Sequence, residues 1–421
     1  MSTLIKAVKI IDQKSKHHLK VRNVLIAKGR IEYIGNDAPK ATKVLNGKGC
    51  YLSQGLCDLQ ATYADPGLEH KEDLESGMEA AMAGGFTEVV LLPNTEPAIQ
   101  KKNDIKYITK ANSSSLVQLH PIGAISIDLK GEALTDMLDL AKAGAIAFSD
   151  GLKPMWNSDL LLKSLQYIKK IEGLIIDRPE DKWLALFGTM NEGENSALLG
   201  MKGVPALAEE LAVARDIDIL GYTEGRLHLS NISTEGSVKL IKAAKKKGLN
   251  ITCDVAAHQL VFDDSEVLSF DANFKVSPPF RRSTDCKALI KGLQDGTIDT
   301  IVSSHQPHDQ ECKQLEFDLA DFGIIGQQTV LPMLATVAEQ IGWELIIDKL
   351  TNQARAIIKL PIPEIKEGTN ANLMLFNPGQ SWEYNLASSK SKSQNSPLFG
   401  QTLKGKVLAV FNNGQQQIFN G

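Results

Sequence analysis

Few residues in this chain are of the types that do chemistry, and they are scattered. Among its 8 histidines, His305 and His308 stand three residues apart, a spacing at which two imidazoles could share a metal ion only if other ligands joined them. Asp150, in Phe148-Ser-Asp-Gly151, is a lone carboxylate, whereas a catalytic zinc takes about three protein ligands. His228 and His258 sit in apolar runs and are expected to be hydrogen-bonded core histidines. His70 is expected to shape a loop, and His17-His18 to be a solvated pair in a basic turn. Cys50, Cys57, Cys253, Cys286 and Cys312 contain no Cys-x-x-Cys pair, which argues against both a thiolate zinc site and a disulfide framework. They are expected to be free thiols in a reducing cytoplasm.

Composition narrows the classes further. With 421 residues, 43% hydrophobic and 23% charged, the chain can bury a large core and shows no sign of disorder. A formal net charge of −4 gives no global electrostatic case for nucleic acid or an anionic membrane. No window approaches the roughly 18 uninterrupted apolar residues of a membrane span. A small-molecule or protein partner is the expectation.

The elements that must position these residues follow from periodicity. Leu4 to Ile11, Val21 to Ala27 and Arg30 to Ile34 read as a small antiparallel sheet. From Gly55 the rhythm changes. Lys71 to Ala83 has apolar residues at helical spacing and stops at Gly84-Gly85, and Thr87 to Leu92 then reads as a buried strand. The step recurs: helices over Ala133 to Ala143, Pro205 to Arg215 and Glu235 to Lys247 lead to strands at Ala145 to Phe148, Arg226 to Leu229 and Asn250 to Val255. A further strand spans Ile298 to Ser303. Alternation on this scale predicts a parallel sheet, with a (β/α)₈ barrel the economical choice and a doubly wound sheet its competitor. Strands return at Ala371 to Phe376, Lys406 to Phe411 and Gln416 to Phe419, so residues 1–54 and 366–421 are expected to form one β domain around a barrel of residues 55–365. The Ser/Lys stretch Ser388 to Asn395 reads as a solvated surface loop, and Lys245-Lys246-Lys247 as a solvated last helical turn.

At this point the motifs carry a resemblance. The stretch from Gly55 to Asp73, with Ala83-Gly-Gly-Phe-Thr87, Pro93-Asn-Thr95, Phe148-Ser-Asp-Gly151, Met190-Asn-Glu-Gly-Glu194, Leu227 to Thr234, Phe274-Lys-Val-Ser-Pro-Pro279, His305-x-Pro-His308 and Phe322-Gly-Ile-Ile-Gly326, resembles the dihydroorotase family in order along the whole chain. The resemblance implies a TIM barrel of the amidohydrolase superfamily, with a small β-sandwich built from both termini. It also implies hydrolysis of a cyclic amide, in which zinc makes hydroxide near neutral pH and an aspartate moves the proton.

The departures fall on the working atoms. Where the family has a His-x-His pair this chain has Gln60 and Thr62. Two later histidine ligands align with Arg178 and Asn231, and the catalytic aspartate aligns with Ser304. Asp150 is the one possible remnant, in a motif one residue shorter than the family's. On the substrate side the carboxylate-binding arginine aligns with Ala64 and an asparagine with Ser277, while Asn94 and His308 match. The chain is therefore expected to carry no zinc cofactor and no catalytic residue. It reads as a non-catalytic partner of aspartate transcarbamoylase that also self-associates, in the cytoplasm, binding neither nucleic acid nor membrane. An active hydrolase with a rearranged site and a small-molecule binding module are the alternatives.

Overall fold

The computed structural model describes residues 2–419. Short apolar strands alternate with amphipathic helices, and the strands close into a ring. Leu56–Ala61, Phe86–Leu91 and Gln118–Pro121 pair in parallel, as do Ile175–Asp177, Leu227–Leu229, Ile251–Ala256 and Thr300–Val302. Parallel bridges complete the circuit: Gly123 and Ile175 both join Phe148, and Ala61 joins His305. The eighth position is thus held by Phe148 alone, where a full strand over Ala145 to Phe148 was expected. The ring interior is filled by side chains such as Cys57, Leu59, Val90, Ile122, Ile176 and Val302, so the barrel is a packed core whose chemistry must sit at the strand ends.

Helices cover the outside. Leu74–Ala83 begins at Asp73, whose carboxylate accepts from the Ser76 amide at 2.8 Å, the capping arrangement that satisfies a free N–H of the first turn. Ala206–Thr223 is two turns longer than expected, since nothing after Arg215 breaks it before Glu224. Met137–Ala143 starts later than expected because Asp136 caps it. Among the described residues no helix is long and apolar enough to cross a membrane.

Both termini build one sheet. Its order is Gln415–Ile418, Thr402–Asn412, Leu373–Glu383, Tyr51–Ser53, Ser2–Ile10, Val21–Ala27 and Arg30–Gly35. Ser2–Ile10 changes register between Ile5 and Val8, around Ala7 at φ 54°. Its first half therefore pairs with Lys43–Asn46 and its second half with Tyr51–Ser53. Ile5, Val8, Ile26, Ile34, Leu373 and Phe411 form this sheet's own core.

Candidate functional site

Gln60 ends the first barrel strand and is buried. Its Oε1 accepts from the Ser230 hydroxyl at 2.8 Å. Asn231, next along, donates from Nδ2 to Ser304 Oγ at 3.2 Å, and Thr62 Oγ1 donates to the His305 carbonyl at 3.0 Å. The strand ends thus bring Gln60, Thr62, Asn231 and Ser304 into one neighbourhood, where they hydrogen-bond to each other's strands. Asp254 underlies the network: it receives the Asn231 amide at 2.6 Å, Ser230 Oγ at 2.9 Å and His228 Nε2 at 2.8 Å. His228 is accordingly the hydrogen-bonded core histidine expected. His258 packs edge-on to Phe280, its Nδ1 has no partner, and burial lowers it to about 3.

Arg178 follows the strand Ile175–Asp177 and is almost wholly buried. Its Nη1 donates to Ser277 Oγ at 2.6 Å and Nη2 pairs with Glu180 at 3.1 Å, while Nε has no protein partner. Beneath it lie Asp177 and Asp216, both raised by burial, with Arg215 at 3.6 Å and 2.6 Å from their carboxylates. This buried cluster ties the strand that carries Arg178 to the helix Ala206–Thr223.

Asp150 is spent elsewhere than on a metal. One oxygen accepts the Ile125 and Ser126 amides at 3.0 and 2.9 Å, and the other accepts the Ser126 hydroxyl. In the folded chain its carboxylate anchors the loop at Ile125 and Ser126. Burial raises its carboxyl to about 6 from 3.8, with the Ser126 bonds opposing. The folded chain therefore holds this proton more tightly than the unfolded chain, a contribution that is full below pH 3.8 and lost as pH rises through about 6. Asp150→Asn is expected to remove that loss, raising stability at pH 7 relative to pH 4 by as much as about 3 kcal/mol. Urea unfolding of both proteins at the two pH values checks this.

Above the network a cavity of about 740 Å³ opens. Of the residues singled out in the sequence, Asn94, Arg178, Ser277 and His308 line it, and Ala64, Gln60, Thr62, Asn231 and Ser304 do not. Asn94 is only half available: its amide donates to the Asp150 carbonyl at 3.1 Å and accepts from Leu152 N at 2.9 Å. Gly151 lets it approach so closely, because a Cβ there would stand 1.9 Å from Asn94 Oδ1. Sequence reasoning missed Lys153, Lys275 and Gln306, which also line the cavity. The Lys275 ammonium lies 4.6 Å above the Phe322 ring and is lowered by burial. Only the family motif around Phe274 to Pro279 hinted at it.

The stretch Ser388 to Asn395, expected to be a solvated loop, is pinned over the barrel. Ser391 Oγ and Lys392 N reach Glu72, Ser393 Oγ donates to Lys71 O at 2.7 Å, and Asn395 Oδ1 accepts from His308 N at 3.0 Å. Serine and asparagine side chains that look solvated in a sequence serve here to satisfy buried backbone. Glu72→Ala is expected to release the stretch, read as faster amide exchange across residues 390–395 with little change in the barrel strands.

The zinc implied for active relatives does not fit the aligned residues. Gln60 and Thr62 offer an amide and a hydroxyl already engaged, Asn231 one free amide oxygen, and Arg178 a permanent cation. Such a set lacks the imidazole and carboxylate donors zinc takes.

A family model described as Dihydro-orotase-like matches residues 49–237. A dihydroorotase from Syntrophus aciditrophicus (strain SB) is 36% identical over 421 residues, 99% of each chain, and one from Geobacter sp. (strain M21) is 37% identical over 420 residues, again 99% of each. Among solved structures, L-hydantoinase (dihydropyrimidinase) from Arthrobacter aurescens superposes with a TM-score of 0.84 at 19% identity, covering 99% of this chain and 97% of that one. Dihydropyrimidinase from Brevibacillus agri NCHU1002 superposes with a TM-score of 0.82 at 20% identity, covering 100% and 95%. The structural likeness establishes the barrel fold with its sheet domain, and the identity along nearly the full length establishes that the chain belongs to the dihydroorotase family.

Proposed function

We propose that this chain is a dihydroorotase-family protein of pyrimidine biosynthesis that no longer hydrolyses dihydroorotate and acts through association, with aspartate transcarbamoylase and with itself, in the cytoplasm. The observation that supports the reading is Arg178: a buried, permanently charged guanidinium paired with Glu180 and bonded to Ser277, at the position whose motif aligns with a histidine ligand of the family. Gln60, Thr62, Asn231 and Ser304 support it, each bonded within the protein. A scaffold kept while its reactive atoms are lost at separate places points to a surface function. Trp183, Phe187, Leu198, Leu319 and Tyr222 are 65% or more exposed, so apolar side chains are available at the surface.

The test is copurification and light scattering with the same organism's transcarbamoylase. A complex at micromolar concentration is expected, unchanged by Ser304→Ala or Asn231→Ala, because these lie inside the barrel mouth. No complex would leave a second reading ahead, that of a small-molecule binding module. The 740 Å³ cavity with Arg178, Lys275 and Lys153 on its walls favours that alternative. Thermal shift with pyrimidine precursors would detect it.

A further inference from the structure

The expectation of a metal-free chain rests on the family's ligand positions, yet the structure gathers ligand atoms at another place. His308, Cys312 and Asp321 each present one, and all lie within 4.8 Å of one another. Among the described residues no other group of three or more histidine, cysteine or carboxylate side chains does so. None of the three occupies a position aligned with a ligand of the family's metal.

Several features distinguish this cluster from chance proximity. The Phe322 carbonyl, 2.9 Å from His308 Nε2, can only accept, and the Lys71 ammonium, 3.4 Å from Nδ1, can only donate. Both place the ring proton on Nε2 and a lone pair on Nδ1, which faces Asp321 at 3.4 Å. A backbone carbonyl holding the far nitrogen is how proteins orient a ligating imidazole. Burial, helped by Lys71, keeps the ring neutral by lowering it to about 4. The two loops are fixed together, since Asp321 N donates to the Cys312 carbonyl at 2.9 Å. Cys312 itself is set by Asp309, which caps its short helix. Finally, the cluster already attracts a cation: Lys71 Nζ stands 3.9 Å from Asp321 as well as against His308.

We propose that His308, Cys312 and Asp321 form a binding site for a zinc-class divalent cation on the rim of the cavity. Imidazole and thiolate select zinc and its congeners over magnesium or calcium, and three protein ligands leave a fourth position for water. The ligand atoms must draw to about 3.5 Å apart around a tetrahedral ion. Asp321, with its side chain 51% exposed, can rotate to do so. The Cys312 thiol loses its proton to solvent as sulfur bonds the metal, and the Lys71 ammonium moves out into water. Since His308 and Asp321 line the cavity, the ion would stand beside whatever that cavity binds. The proposal does not depend on whether the family's reaction survives.

Cobalt(II) titration of the chelator-treated, reduced full chain tests it. About one cobalt per chain is expected, with a near-ultraviolet thiolate-to-cobalt charge-transfer band. Cys312→Ser should abolish the band and weaken binding at least about tenfold, while Cys286→Ser, at the other half-exposed thiol, should change neither. Lys71→Met should tighten binding by removing the competing ammonium. Absence of saturable binding at micromolar cobalt, a band that persists in Cys312→Ser, or weaker binding in Lys71→Met would overturn the assignment.

Discussion

Dihydroorotate incubated with this protein is expected to open no faster than in buffer, and carbamoyl aspartate to remain uncyclised, with or without added zinc. Amide hydrolysis near neutral pH needs a strong nucleophile. A metal supplies one by lowering the pKa of its bound water from about 15.7 to about 7, which at about 1.4 kcal/mol per unit is on the order of 12 kcal/mol of activation. On the proposed reading the family positions are held by Gln60, Thr62, Arg178 and Asn231, and by Ser304, whose hydroxyl is no base near pH 7. Turnover that coelutes with the protein through purification and vanishes in His308→Ala would refute the prediction.

Asp254→Ala should destabilise the fold by about 4 kcal/mol, since each buried polar group left without a partner costs about 1–3 kcal/mol. The side chain is buried and serves three donors: the His228 imidazole, the Ser230 hydroxyl and the Asn231 amide. Alanine strands the His228 Nε2 and Asn231 N donors in a region closed to water and leaves the Ser230 hydroxyl only Gln60 Oε1. Asparagine keeps an acceptor, so Asp254→Asn should cost about half as much. Urea unfolding followed by intrinsic fluorescence reads both. A loss below about 1 kcal/mol for the alanine variant would mean that this network is not what holds the strand ends together.

Much of this protein is legible in one dimension because local physics decides it. Helical spacing over Lys71 to Ala83 and its stop at Gly84-Gly85 set that element before any tertiary contact forms. The family motifs likewise named the residues to examine, since a side chain's chemistry is a property of its residue type. Failures came where a residue's partner lies far along the chain. Ser391 and Ser393 look solvated until Glu72 and Lys71 are brought beside them, more than 300 residues away. Nor does the sequence show that Asp150 receives the Ile125 and Ser126 amides.

The sequence by itself determined the alternating architecture and the family, and its motifs pointed to Gln60, Thr62, Arg178, Asn231 and Ser304 as the positions to look at. Only the tertiary structure decided what fills those positions: Arg178 clasped by Glu180 and Ser277, Gln60 met by Ser230, Asn231 by Ser304. It also decided that Cys312, one of five unpaired thiols in the sequence, stands beside His308 and Asp321. The reason is geometric. Spacing along a strand or helix fixes which way a side chain points, but closing the barrel fixes which strand ends meet, and a hydrogen bond or metal bond exists only between atoms that meet.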